Sequence, residues 1–358
     1  PFIRNLLRMS VYQIKYMDAV PDSAVCNEAV KLAKRHKFAQ LSGFVNGVLR
    51  NIARNIDSVQ LDTLSIRYSM PQWIVDRFVA AYGEKKAEEI FKAFHNKSTI
   101  SIRTNLTRCT PDELRATLEA EGVTVTAVDE LNYAFVISGF DYLNGLQSFR
   151  DGLFYVQDIS SMLVAQTAAP KKGDYVIDVC AAPGGKSTHI AELLQGSGHV
   201  LARDLTDNKV DMIEENIERH GLNNMSAEVW DATVPDADSA GKADILICDL
   251  PCSGLGVLGR KKDIRYKMTP ESVDELAALQ RQILDTVHTY VKPNGVLVYS
   301  TCTIDEAENE DNVRWFIEKH PEFELDKNFA EGTGMKQILP GEHGSDGFFI
   351  ARFIKSKL

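Results

Sequence analysis

Two thiols stand in polar turns where a packing role is hard to find for them. Cys252 lies in "ICDLPCSGLG" and Cys302 in "LVYSTCTIDEAEN", each just past an apolar run. A small buried hydrophobe is the ordinary reading of a free cysteine, and it suits Cys26 and Cys248. It suits Cys252 and Cys302 poorly. The chemistry that needs a thiolate beside a methyl donor is alkylation of a pyrimidine carbon. C5 of cytosine is too weak a nucleophile to take a methyl group unaided. A thiolate adding at C6 makes an enamine, and C5 then becomes nucleophilic. An acid near N3 and the exocyclic amine stabilises that adduct, a role for Asp249 in the same "CDLPCSG" run. The C5 proton must then leave and the thiol be eliminated, and a second thiol can assist that release. The residues alone do not say which cysteine attacks.

The donor side is read from "YVIDVCAAPGGKSTHI", residues 175–190. It resembles a phosphate loop, but a Walker A loop needs a glycine where Cys180 stands, and Gly-x-Gly-x-x-Gly is absent too. Asp204 in "HVLARDL" stands where an acid can accept both hydroxyls of a ribose. Asp231 in "VWDATV" stands where a carboxylate or its neighbours can reach an adenine edge. Either acid alone reads equally well as a surface turn. Together with the glycine turn they favour an adenosine ligand, and without phosphate fingerprints S-adenosylmethionine is preferred over NAD or ATP. Gly184 and Gly185 let the backbone approach the methionine portion, and Lys186 places a cation toward the cleft.

These residues need a scaffold that gathers strand ends. From about residue 151 the pattern becomes β-α-β-α, with strands expected at Tyr175–Val179, His199–Ala202, Ala243–Asp249, Val296–Thr301 and Gly347–Phe353. A helix is expected over Pro270–Val291, stopped by Pro293-Asn294-Gly295. Such alternation predicts a mostly parallel, doubly wound α/β sheet, whose ligands sit at the carboxyl ends of the strands. Residues 58–150 read as a small α+β module, with strands in "TISIRTNL", "VTVTAV" and "NYAFVIS" and a helix begun by Thr110-Pro111. Residues 1–57 read as helices, with Ser42 expected as an N-cap and Arg50 and Arg54 one turn apart.

The 358 residues are 44% hydrophobic and 25% charged, the composition of a soluble globular protein of two or three domains. No apolar run approaches a membrane span and no secretory signal opens the chain, so a cytoplasmic protein with reduced thiols is expected. The chain begins at Pro1 inside a helical pattern, from which we expect an N-terminal piece to be missing. None of the six cysteines forms a Cys-x-x-Cys pair, which argues against zinc. Net charge is −10, yet residues 1–60 hold 9 Lys+Arg against 4 Asp+Glu. A basic front on an acidic body is compatible with docking to nucleic acid. The loop Arg260, Lys261, Lys262, Arg265 and Lys267 is a second candidate RNA contact.

With these motifs in hand, the chain resembles the RsmB (Sun/Fmu) family of bacterial 16S rRNA cytosine-C5 methyltransferases. The resemblance rests on "DVCAAPGGKSTHI", Asp204, Asp231, "DLPCSG", "YSTCTIDEAENE" and "DGFFIARFIK". "CNEAVKLAKRHKFAQLSGFVNGVLRNI" is similar to the second half of a NusB-like RNA-binding domain. It implies a Rossmann-like class I methyltransferase domain over 151–358, behind the small module and a partial all-α NusB-like domain. It implies Cys302 as nucleophile, Cys252 as the thiol of product release, and Asp249 and Lys186 beside them. It implies a donor site of Cys180, Ala181, Ala182, Pro183, Gly184, Gly185, Lys186, Asp204, Asp231 and Asp249. S-adenosyl-L-homocysteine would be the product, 16S rRNA the partner, and a metal-free monomer the form. Leu250, Lys262 and Tyr266 depart from the family's usual Ala, Pro and Trp. The competing expectation is a non-catalytic NusB-like RNA-binding assembly factor.

Overall fold

Ile245 and Ile247 face one way along their strand and Leu246 the other, and all three are buried. A strand covered on both faces belongs inside a parallel sheet. The computed structural model describes residues 1–358 other than 59, 61, 97, 98 and 358, and the chain forms two units, Pro1–Arg67 and Tyr68–Leu358.

The first unit holds α1 (Phe2–Tyr16), α2 (Asp22–Arg35), α3 (Ser42–Asn55) and the short α4 (Leu64–Arg67). The first three helices close on Leu6, Cys26, Ala29, Ala33, Val45 and Leu49. Ser42 is not the expected N-cap. A 3₁₀ turn, Ala39–Leu41, leads straight into α3, and the Ser42 hydroxyl donates backward to the Ala39 carbonyl at 2.7 Å.

The second unit begins with α5 (Gln72–Ala93), broken at Gly83, where φ is +76°. Then come β1 (Ile100–Thr104), α6 (Pro111–Ala120), β2 (Thr124–Val128), β3 (Leu131–Ser138), α7 (Gln147–Arg150) and β4 (Phe154–Val156). The four strands pair antiparallel in the order β2-β3-β1-β4. Thr110 and Glu113 form a reciprocal capping box at the start of α6. Because β4 completes this sheet, the small module extends past the expected boundary at residue 150.

The larger sheet follows: α8 (Ile159–Ala168), β5 (Tyr175–Asp178), α9 (Gly185–Leu193), β6 (His199–Asp204), α10 (Asp207–His220), β7 (Met225–Val229) and β8 (Ala243–Asp249). The chain ends with α11 (Ile264–Lys267), α12 (Pro270–Val287), β9 (Val291–Thr301), α13 (Glu310–Lys319), β10 (Phe323–Leu325), β11 (Met335–Ile338) and β12 (Phe348–Lys355). Its order is β10-β12-β9-β8-β5-β6-β7, with β11 on β12. The five strands from β9 to β7 are parallel, and β12 returns antiparallel along β9.

One apolar cluster covers each face. Ile177, Leu246, Ile283, Leu297, Phe316 and Phe349 share one, and Val176, Ile190, Val200, Ile213, Ile247 and Val298 share the other. The helix expected to reach Val291 stops at Val287 and passes through a 3₁₀ turn into β9. Pro293-Asn294-Gly295 lies inside β9 instead of before it. Proline has no N–H for the ladder, Asn294 takes a φ of +61°, and the pairing with β8 shifts register near there. The consequence is a common edge: β5, β6, β7, β8 and β9 all end on the same side.

Candidate active site

At that edge β5 ends in Asp178, which is buried. Its Oδ2 accepts from the Ser187 hydroxyl at 2.5 Å. Burial pushes the Asp178 carboxyl up to about 7 against that hydrogen bond, and the charge of Asp249 adds to the rise. The turn from Cys180 to Gly184 then folds under the end of β6. Ala181 donates its N–H to the Arg203 carbonyl at 2.8 Å, and Ala182 donates to Asp204 Oδ2 at 2.9 Å. Gly184 takes φ +101°, a conformation that only glycine adopts freely, and α9 starts at the next residue.

Asp204 ends β6 with 3% exposure. Its Oδ1 accepts from the Leu205 N–H and the Lys209 ammonium, each at 2.8 Å. Lys209 is half exposed, so this carboxylate has one partner that can be exchanged for a ligand hydroxyl. Asp231, past β7, is exposed. Hydrogen bonds from the Thr233 hydroxyl and N–H hold its carboxyl below the usual range. Two carboxylates at neighbouring strand ends, one buried and one open, beside a small-residue turn, fit the hydroxyls and base of an adenosine.

β8 ends in Asp249. Its Oδ2 accepts from Lys186 Nζ at 2.6 Å and its Oδ1 from the Ser300 hydroxyl at 2.7 Å. Burial alone would lower the Lys186 pKa, but the charge and hydrogen bond of Asp249 outweigh it and hold the ammonium above its usual range. Just beyond, Cys252 Sγ lies 3.2 Å from Cys302 Sγ. Both thiols are free and partly buried. The hydrogen bond from Cys252 draws the Cys302 thiol below its ordinary range against burial, and Lys186 and Lys261 act in the same direction. The same bond, with burial, drives Cys252 far above it. Within the pair the shifts run in opposite directions, Cys302 toward the thiolate and Cys252 toward the protonated thiol.

The backbone of both cysteine turns is pinned. Gly256 donates to the Cys302 carbonyl at 3.1 Å, and a Cβ on Gly256 would lie 2.3 Å from the Gly347 carbonyl oxygen. Arg77 of α5 forms a two-nitrogen pair with Asp305, and Tyr82 donates to the Ile304 carbonyl at 2.6 Å. Thus α5 holds the segment after Cys302.

The family model described as 16S rRNA methyltransferase RsmB/F matches residues 165–354. The NusB family model matches 1–54, and a Methyltr_RsmF/B-like ferredoxin-like model matches 70–140. The chain belongs to the RsmB/F methyltransferase family. It is 38% identical to a probable ribosomal RNA small subunit methyltransferase B of Bacillus subtilis (strain 168), across 99% of this chain and 83% of that protein. A methyltransferase homologue from Pyrococcus horikoshii superposes with a TM-score of 0.69 at 26% identity, covering 81% of this chain and 97% of the other. NSun6 from the same organism, solved with SFG, gives 0.72 at 24% identity, covering 80% and 99%.

Not every expected contact lies on an open surface. Arg265 is buried, and its guanidinium donates to the carbonyls of Tyr68, Ser69 and Leu258. That corrects its place among RNA-facing residues: the carbonyl ends of loop segments needed a buried donor. Arg260 spends its nitrogens on the Thr99 carbonyl, on Asp158 at 2.9 Å and on Asp346 at 2.6 Å. Lys261 and Lys262 are exposed, and Lys267 pairs with Asp263. Arg50 and Arg54 are exposed in the first unit, where Arg54 Nε donates to the Arg50 carbonyl at 3.2 Å.

Asp285, His288 and His320 bring ligand atoms within 4.8 Å of one another, but at the amino end of β9, and Lys319 already pairs with Asp285. Sequence reasoning gave no role to Ser253, Thr303 and Glu308. Glu308 sits in an acidic run that reads as a solvated face, and nothing in that run marks it as the member with no exposure.

Proposed function

We propose that this chain methylates C5 of a cytosine in 16S rRNA through a transient Cys302–C6 bond. The observation that carries the reading is the pair of thiols in contact at the ends of β8 and β9, beside the Lys186–Asp249 pair. S-adenosylmethionine is the cofactor, and when bound it supplies an electrophilic methyl group. Cys180 to Lys186, Asp204, Asp231 and Asp249 are the residues that would hold it.

The chain's own contribution is to make C5 reactive. Cys302, held as thiolate by the Cys252 hydrogen bond, forms the S–C6 bond, and the C5=C6 electron pair moves toward C5 and the ring. Asp249, oriented by Lys186 and Ser300, accepts from the exocyclic amine, and the Lys186 ammonium beside it offsets the negative charge that addition places on the ring. After C5 is methylated its proton must leave. The electron pair re-forms C5=C6, the S–C6 bond breaks, and Cys302 recovers its thiolate. Once Cys302 is a thioether it no longer holds Cys252 protonated, so Cys252 gives its proton to solvent and, as a thiolate, takes the C5 proton. Lys261, Lys262 and Tyr266, which is 71% exposed, offer cations and a stacking surface to the RNA. Bisulfite mapping of 16S rRNA after reaction with the purified protein tests the reading. A single newly protected cytosine supports it, and methyl incorporation elsewhere on the base contradicts it.

A further inference from the structure

Ser253 follows one cysteine and Thr303 the other, and the two hydroxyls lie 3.0 Å apart. Ser253 spends its proton on Glu308 Oε2, so Thr303 is the donor to Ser253. Glu308 Oε1 accepts from the Ser253 N–H and from Gln280 Nε2, each at 2.9 Å, and Gln280 also donates to the Pro251 carbonyl at 2.8 Å. Ser253, Thr303, Glu308 and Gln280 are all fully buried. Three donors converge on one side chain, a set that an ionised carboxylate accepts in full and that opposes the burial raising its pKa. A buried charge is tolerated when it is hydrogen-bonded in this way.

We propose that Glu308 is a positioning residue that sets the two thiols in contact by tying together the residues that follow them. The inference rests on the reading that Cys302 attacks and Cys252 assists release. Neither thiol touches Glu308 in a hydrogen bond. Its carboxylate instead fixes Ser253 by side chain and backbone, and through Ser253 it fixes Thr303. With this clamp in place Cys252 donates to Cys302 and keeps it ionised. Without it the Cys252 turn is free to move away, and both the thiolate and the release step suffer.

Charge and position act in opposite senses here. A nearby carboxylate disfavours a thiolate, so deleting its charge alone would lower the pH at which Cys302 ionises. Deleting its positioning role removes the Cys252 hydrogen bond and raises that pH. Glutamine separates the two: it lacks the charge, yet its oxygen can keep the Ser253 N–H and Gln280, while its amide can donate to a reversed Ser253–Thr303 pair.

The test is the rate of Cys302 alkylation by iodoacetamide against pH, followed by peptide mass spectrometry without RNA. In Glu308→Ala the midpoint should rise by about one unit, a tenfold loss of thiolate at fixed pH. In Glu308→Gln, which loses the charge and keeps the position, it should stay at or below the wild-type value. A midpoint that falls or stays unmoved in Glu308→Ala, or that moves equally in both variants, overturns the proposal. Ser253→Ala, which keeps the backbone contact, guards against misfolding of Glu308→Ala. Its midpoint should rise by a smaller amount, and an unchanged value counts against the clamp. With RNA and donor, Glu308→Ala should also lengthen the life of the covalent complex. If Cys252→Ala yields no complex, the catalytic reading has failed; if it does and Glu308→Ala behaves as wild type, only the clamp has failed.

Discussion

Lys186 Nζ reaches Asp249 Oδ2 at 2.6 Å across the cleft, joining the first turn of α9 to the end of β8. The pair is mostly buried, with side-chain exposures of 14% and 25%. It places one cation where its charge acts on Cys302, and in the proposed reaction it orients the acid that meets the substrate ring.

The first prediction concerns that cation. Lys186 favours the ionised form of Cys302, so Cys302 alkylation in the wild type should rise with pH at a midpoint below the ordinary thiol value of 9.0. Lys186→Ala removes the cation and leaves Asp249 unpaired, and both changes disfavour the thiolate. The midpoint should move to higher pH. A midpoint that falls would show that the ammonium does not act on Cys302.

Asp204 is the carboxylate expected to hold the donor's ribose. A hydrogen bond to a charged acceptor is worth roughly 1.5–3 kcal/mol. Asp204→Ala should therefore weaken S-adenosylmethionine binding at least about tenfold by calorimetry. Unchanged affinity would remove the residue from the site.

Asp178 predicts a pH dependence of stability. Its folded carboxyl titrates at about 7 against 3.8 unfolded, so the folded state holds a proton that the unfolded chain releases. That contribution is full below 3.8 and is lost as pH rises through about 7. Asp178→Asn has nothing to lose there. Its stability relative to wild type should rise between pH 4 and pH 8, by no more than about 4 kcal/mol, in urea denaturation. Parallel curves for the two proteins would mean that Asp178 does not titrate in this window.

Much of this site was legible because strand ends announce themselves. Asp178, Asp204, Asp249 and Cys302 each follow an apolar run of period two or full burial, and parallel topology brings such ends to one edge. The charged loop was harder. Arg260, Arg265 and Lys261 look alike in sequence, yet Arg265 is consumed by buried carbonyls, Arg260 by two acids, and only the lysine is left open. Glu308 was illegible for the converse reason. Its donors, Ser253 and Gln280, are 55 and 28 residues away in the chain, so no local pattern distinguishes it from Glu306. Longer separations, 228 and 222 residues, hid Arg77 and Tyr82, which reach the segment after Cys302 from α5.

The lysines left open define the next test. Neutralising Lys261 and Lys262 should weaken RNA binding and flatten its salt dependence by roughly one unit of slope per lost phosphate contact. Arg260→Ala should act differently. It leaves Asp158 and Asp346 facing each other without their shared cation and should lower thermal stability. If the lysine variant kept the full salt slope, the loop would not be an RNA contact.

The most direct test of the account is the fate of the covalent complex when one thiol is removed. In the proposed mechanism Cys252 acts only after methyl transfer, so Cys252→Ala should still form the S–C6 bond and methylate C5 but fail to let go. On denaturing gels it should accumulate a protein–RNA complex that requires both RNA and S-adenosylmethionine. Cys302→Ala, alone or combined with it, should form none. The opposite pattern, a complex trapped by Cys302→Ala and none by Cys252→Ala, would give Cys252 the attack and contradict the assignment.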